Sequence, residues 1–224
     1  MTFSLVTRCA ETGMFGVAIS SSSPAVAARC SYARAGVGAT ASQNVTDPRL
    51  GPFALDLMQG GMTAGEAIAG VRDQAAHIAY RQVLAIDTAG DTAIHSGTES
   101  LGIWADAQGR DVASGGNLLA HADVPAAIVS GFEDAQGHLG DRLLAALFAG
   151  LAAGGEAGSV HSAGLMLVDK VPWPVADLRC DWTQDCPVTA VATAWDVYKP
   201  QLDAYVQRAL DPASAPSFGV PGDQ

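Results

Sequence analysis

Apolar positions recur at every second residue in some short runs and at every third or fourth in others, and the two kinds of run alternate along the chain. Residues 3–8 and 15–22 flank Glu11-Thr12-Gly13 and read as a β-hairpin with a glycine-containing turn. In its second strand Phe15, Val17 and Ile19 alternate with Gly16, Ala18 and Ser20. Both faces are small or apolar, which suits a strand covered on both sides. Residues 36–43 give a third strand of small side chains. Residues 52–59 place Pro52 in a first helical turn and stop at Gly60-Gly61. Thr63 and Glu66 have capping-box spacing and open a helix to about Gln74.

Residues 81–87 and 91–96 predict a second hairpin, and 111–117 a weaker strand that ends in Gly115-Gly116-Asn117. Asp123 is placed to cap a helix with Val124, Ala127, Ile128 and Phe132 on its apolar face. Leu143, Leu144, Leu147 and Leu151 form the stripe of a further helix over 139–153. Strands at 162–169 and 175–181 and a helix over 188–210, interrupted near Pro200, complete the order. Strands grouped as hairpins favour antiparallel sheets, and helix pairs between them need sheet faces to cover. The expected fold is α+β, a four-layer αββα sandwich. No charged or Pro-rich linker divides the chain, so residues 1–210 are expected to form a single domain and 211–224 a loose Pro/Gly/Ser-rich tail.

Composition agrees with a buried core: 49 % of residues are hydrophobic and 16 % charged. The formal net charge of −11 disfavours nucleic acid and anionic membrane surfaces as partners. No stretch approaches the ~18 apolar residues of a membrane span, and the start lacks a basic segment followed by an apolar run. A cytoplasmic protein is expected. Cys9, Cys30, Cys180 and Cys186 read as free thiols, with a Cys180–Cys186 disulfide across a short loop as the alternative. Neither Cys-x-x-Cys nor His-x-x-x-His occurs, and Gly36-x-Gly38 lacks the third glycine of a dinucleotide loop. No metal and no cofactor are expected.

Several segments together carry a family likeness. The run from Thr2 through SSSS, then ARAGVGATASQN with DPRLGPFALDLM, RQVLAID, SGGNLLA and HSAGLMLVD, resembles a bacterial family known as domain of unknown function 1028. That family is grouped with the N-terminal-nucleophile (Ntn) hydrolases. The likeness extends to about Leu210. It implies the αββα sandwich and a chemistry in which the first residue of the mature chain, a Thr, Ser or Cys, attacks while its own α-amine acts as base. Here that residue is Thr2, exposed by removal of Met1. An α-amine with a pKa near ~8 is partly neutral at neutral pH, and the β-branch of threonine restricts its hydroxyl. Thr2 and Ser4 are expected to face one way from their strand, Phe3 and Leu5 the other.

The same likeness includes Gly116-Asn117, where a backbone N–H and the Asn117 amide could meet a developing oxyanion. Gln43 and Asn44 could line a substrate pocket, or only satisfy loop backbone. Ser20 stands in a serine run beside the first strand. Arg34 and Arg49 could hold a carboxylate or form structural ion pairs. Ser162, beside His161, has hydrogen-bonding groups at a strand end. The reading is an amidohydrolase of a small molecule, with two alternatives: a non-catalytic metabolite-binding member of the fold, or a structural subunit. A homo-oligomer is expected, with Trp195, Tyr198 and Tyr205 suited to an interface or to the core.

Overall fold

The computed structural model describes residues 2–221. In chain order the elements are β1 (Thr2–Arg8), β2 (Phe15–Ser21), α1 (Val26–Cys30), β3 (Ser31–Arg34), β4 (Gly38–Asn44), α2 (Leu50–Gln59) and α3 (Ala64–Gln74). Then come β5 (Arg81–Asp87), β6 (Thr92–Ser96), β7 (Ala105–Gly109), β8 (Val112–Asn117), α4 (Val124–Asp134) and α5 (Leu139–Ala152). The chain closes with β9 (Ser162–Val168), β10 (Ala176–Cys180), α6 (Pro187–Tyr198) and α7 (Leu202–Leu210).

Two antiparallel sheets form the middle layers. One has six strands in the order β10-β9-β2-β1-β8-β7, the other four in the order β3-β4-β5-β6. Alternation along each strand sorts side chains between the layers. Phe3 and Leu5 of β1 join α4, α5 and α6 in the core on the outer face of the larger sheet. Val83 and Ala85 of β5 pack under α2 and α3. Val6, Val17, Ala39, Ala41, Leu84, Ile86 and Ala113 fill the space between the sheets. The result is the α+β, four-layer αββα sandwich that the grouping of strands and helices implies.

Most elements lie where the sequence places them, and the exceptions have local causes. The α1 helix and β3 are very short and lack a readable period. Strand β7, Ala-Asp-Ala-Gln-Gly, is an edge strand without β-branched or aromatic residues. Asp123 occupies the N-cap of α4 but makes no capping bond, and Pro125 sets the first turn instead. The Thr63–Glu66 capping box forms as expected, and α5 has an unanticipated second one between His138 and Asp141. The break near Pro200 is a 3-10 turn over Lys199–Gln201.

Trp195 is buried in the core, where its ring lies over Gly140 and its indole N–H donates to Asp141 at 2.8 Å. It is therefore a core residue, not an interface residue. Tyr198 and Tyr205 stack on each other at 5.4 Å. The four cysteines are free thiols. No helix among the described residues is long and apolar enough to cross a membrane.

Candidate functional site

The space between the sheets is apolar at one end and polar at the other. On β4 the inward positions run Ala39, Ala41, Gln43; on β5 they run Ile86, Leu84, Gln82; on β1 they run Val6, Ser4, Thr2. The ladder sets Gln43 opposite Gln82, and both are fully buried. Ser4 donates to Gln43 Oε1 at 2.6 Å. Gln43 Nε2 donates to Gln82 Oε1 at 2.8 Å and to the Gly115 carbonyl at 3.0 Å. Gln82 Nε2 donates to Ser96 at 3.0 Å, and Ser96 to Asp106 at 2.7 Å. This chain of bonds ties the sheets together, because a buried amide without partners would be costly. Gly115 makes the approach possible, since a Cβ there would stand 3.3 Å from Gln82 Nε2.

Thr2 lies where this polar seam meets the end of β1. Register puts Asn117 of β8 directly across from Thr2, with Ser21 of β2 one step beyond the Phe3–Ser20 pair on the other side. The Thr2 hydroxyl donates to Ser21 Oγ at 3.4 Å. Ser21 Oγ also accepts from the Ser23 N–H at 3.0 Å. Asn117 is fully buried; its Nδ2 reaches Gln82 Oε1 only at 3.4 Å, and its Oδ1 has no hydrogen-bond partner among the described residues. An unsatisfied buried amide oxygen is uncommon and leaves Asn117 with bonding capacity to spare. The next residue, Leu118, has φ 51°, a left-handed conformation costly for a branched side chain. It is held there by its N–H to the Leu101 carbonyl at 2.9 Å and by its own carbonyl, which accepts from Ala157 at 3.0 Å.

Glu156 was not visible as a site residue in the sequence. It lies in a glycine-rich loop and forms an isolated β-bridge with Leu119. Both its carboxylate oxygens accept from the Ser22 N–H at 3.1 Å, and the residue is only 4 % exposed. Burial pushes its carboxyl up from 4.5 to about 7. The folded chain thus keeps a proton that an unfolded glutamate loses near 4.5. More protons are bound folded than unfolded across that window, so stability falls as pH rises from about 4.5 to about 7 and levels off above it. In protein that retains Met1, Glu156→Gln is expected to remove this fall. Urea midpoints of both proteins at about pH 5 and about pH 8 check it: the variant should gain on the wild type with rising pH.

Of the residues expected at a site, Thr2, Gly116 and Asn117 come together. Gly116 pairs with Phe3, and its Cα faces Leu119, whose side chain a Cβ would meet at 2.6 Å. Gln43 belongs to the seam. Ser20 points to the helix side and donates to the Ser162 carbonyl at 3.2 Å; the serine that borders Thr2 is Ser21. Ser162 is bound within the fold, donating to the Ser23 carbonyl at 2.6 Å and accepting from Val26 N at 3.2 Å. Asn44 satisfies loop backbone, bonding the Tyr80 carbonyl at 2.7 Å and Leu101 N at 3.2 Å. Arg34 pairs with Asp56 at 2.9 Å and bonds Gln59. It stands opposite Gly38, five residues or about 17 Å along β4 from Gln43. Arg49 pairs with Asp47 at 2.7 Å, and His161 bonds the Thr183 carbonyl at 2.8 Å.

Cavities flank both ends of the sheets. One of about 300 Å³ is lined by Glu156, Gly154, Ser159, Gln184, Asp185 and Cys186 among others. A shallower one of about 630 Å³, lined by Thr63, Asp91 and Asp111 among others, sits at the far end of β8 from Asn117. The second is remote from the polar seam, so its size does not make it the site.

No curated protein matches the chain. Among solved structures, a protein of Silicibacter pomeroyi described as a DUF1028 member superposes with a TM-score of 0.82 at 27 % identity, covering 88 % of each chain. An Anbu mutant from Hyphomicrobium sp. strain MC1 gives a TM-score of 0.44 at 11 % identity over 92 % of this chain and 100 % of its own. Anbu, an ancestral β-subunit, from Yersinia bercovieri gives 0.40 at 10 % identity over 92 % and 97 %. The model of the family of unknown function DUF1028 matches residues 2–191, and the chain belongs to that family.

Proposed function

We propose that this protein is an Ntn-type hydrolase of a small amide, with Thr2 as the nucleophile after Met1 is removed. The observation that carries the reading is the position of Thr2. It opens a central strand, in register with a buried asparagine whose amide is incompletely bonded. The Thr2 hydroxyl attacks the substrate carbonyl carbon and gives its proton to the Thr2 α-amine. The negative oxygen that forms is met by Asn117 Nδ2, whose 3.4 Å bond to Gln82 is long enough to be exchanged for a better one, and by the Gly116 N–H. The C–N bond then breaks, the proton passes to the leaving amine, and an ester to Thr2 remains. Water attacks that ester, its proton passes through the α-amine to Thr2 Oγ1, and a carboxylic acid leaves.

The premise is tested by the intact mass of untagged protein. The expected mass is lower than that of the full sequence by one methionine residue. A population that wholly retains Met1 would sink this mechanism, because the nitrogen of Thr2 would then be a peptide nitrogen and no base. It would leave a non-catalytic, metabolite-binding member of the fold as the better reading.

A further inference from the structure

Glu156 occupies a place that register makes specific. Strand β1 lies between β2 and β8, which end level with Thr2, and the chain continues beyond them through Ser22 on one side and Leu118 and Leu119 on the other. The Ser22 N–H is bonded to the Glu156 carboxylate, and Leu119 is bridged to Glu156 itself. Residue 156 therefore closes the gap between the two neighbours directly ahead of the Thr2 end. Its backbone is fixed on both flanks, with Ala120 N bonded to the Gly155 carbonyl at 3.0 Å and Ala157 N to the Leu118 carbonyl at 3.0 Å. A buried carboxylate is costly unless a cation or several donors meet it, and among the described residues Glu156 is met by Ser22 alone, through its N–H and its side chain. When Met1 leaves, the new α-amine lies at the head of β1, at the gap that residue 156 closes.

We propose that Glu156 is the positioning residue of the Thr2 α-amine, orienting it toward the hydroxyl and stabilising the ammonium that forms when it takes the hydroxyl proton. The proposal rests on the reading of Thr2 as an N-terminal nucleophile. Glu156 would do for the amine what a buried aspartate does for histidine in a serine-protease triad. No proton is left over: the amine carries it from Thr2 Oγ1 to the leaving group while Glu156 stays ionised. In the chain with Met1, burial outweighs the Ser22 donors and the charge at the N-terminus and leaves the proton affinity of Glu156 raised, so an ammonium held closer would lower it. Other titratable groups in these surroundings are Asp185 and Cys186, which line the same 300 Å³ cavity, and His121, beside Gly154. None of them makes a hydrogen bond to the Glu156 carboxylate among the described contacts.

The test uses Met1-free protein, verified by intact mass, and reads the α-amine pKa from the pH dependence of N-terminal labelling by an acylating reagent. A carboxylate against the ammonium is expected to raise that pKa by about one unit or more over Glu156→Gln. Equal values in the two proteins overturn the role of Glu156 while leaving Thr2 as nucleophile untouched; retained Met1 overturns both. A second measurement needs no variant. With ¹³C-labelled glutamate, the Glu156 carboxyl midpoint in wild-type protein is expected to fall by about one unit or more when Met1 is removed. A midpoint that stays where it is with Met1 attached also overturns the proposal.

Discussion

Thr2→Ala is expected to abolish acylation of the protein by a small activated ester, lowering the rate by a factor of about 10³ or more. The loss follows from the removal of the hydroxyl, since no second nucleophile stands in register with Asn117. Ser21 is the nearest hydroxyl, 3.4 Å from that of Thr2, but its oxygen already accepts from Ser23 N, and no amine of its own is available as base. The fold should survive, because Thr2 stands at the end of a strand that Phe3, Leu5 and Val6 anchor on both faces. Thr2→Ser keeps an oxygen at the same place and is expected to retain acylation, somewhat slower because the rotamer is less restricted. Mass spectrometry of the N-terminal peptide before and after hydroxylamine, which cleaves an ester on Thr2 but not an amide on the α-amine, reads the adduct. An undiminished adduct in Thr2→Ala would show that another residue is the nucleophile.

The layers were legible because side-chain period reports them. On β4, Ala39, Ala41 and Gln43 alternate with Thr40 and Ser42, and the first set faces the other sheet. The same alternation puts Thr2 and Phe3 on opposite faces of β1. Which serine borders Thr2 was not legible. It depends on the register of the first hairpin, and the observed pairing of Arg8 with Phe15 makes Phe3 face Ser20 and puts Thr2 beside Ser21. The sequence shows no signal for Glu156: it stands in a loop rich in glycine, and its position depends on a single bridge to Leu119. Gln82 was readable as a strand residue but not as the partner of Gln43, because the pairing of β4 with β5 spans two intervening helices. Arg34 and Asn44 illustrate the opposite failure. Their donor groups suit a ligand equally well, and only the fold shows them committed to Asp56, Gln59 and loop backbone.

Gln43→Ala is expected to destabilise the fold by about 3–5 kcal/mol, a large share of the ~5–15 kcal/mol typical of a domain. Gln43 uses its whole amide: Oε1 accepts from Ser4, and Nε2 donates to Gln82 and to the Gly115 carbonyl. Truncation strands those three partners in a region sealed from water and leaves a void between the sheets. Gln43→Met separates the two costs. It keeps most of the volume and leaves the same partners unpaired, so it should lose less than Gln43→Ala, by roughly the cavity contribution of 1–2 kcal/mol. Urea unfolding of the two variants gives the comparison, with a wild-type midpoint for Gln43→Ala as the result that would sink it. The seam also reaches the site. Gln82 Oε1 accepts from both Gln43 and Asn117, so once Gln43 is gone, Gln82 is held through its Nε2 bond to Ser96 without its shortest Oε1 contact, and the aim of Asn117 loosens. Acylation at Thr2 should therefore weaken in Gln43→Met even at temperatures where the variant is fully folded. That couples the stability of the interlayer to the chemistry proposed at its edge.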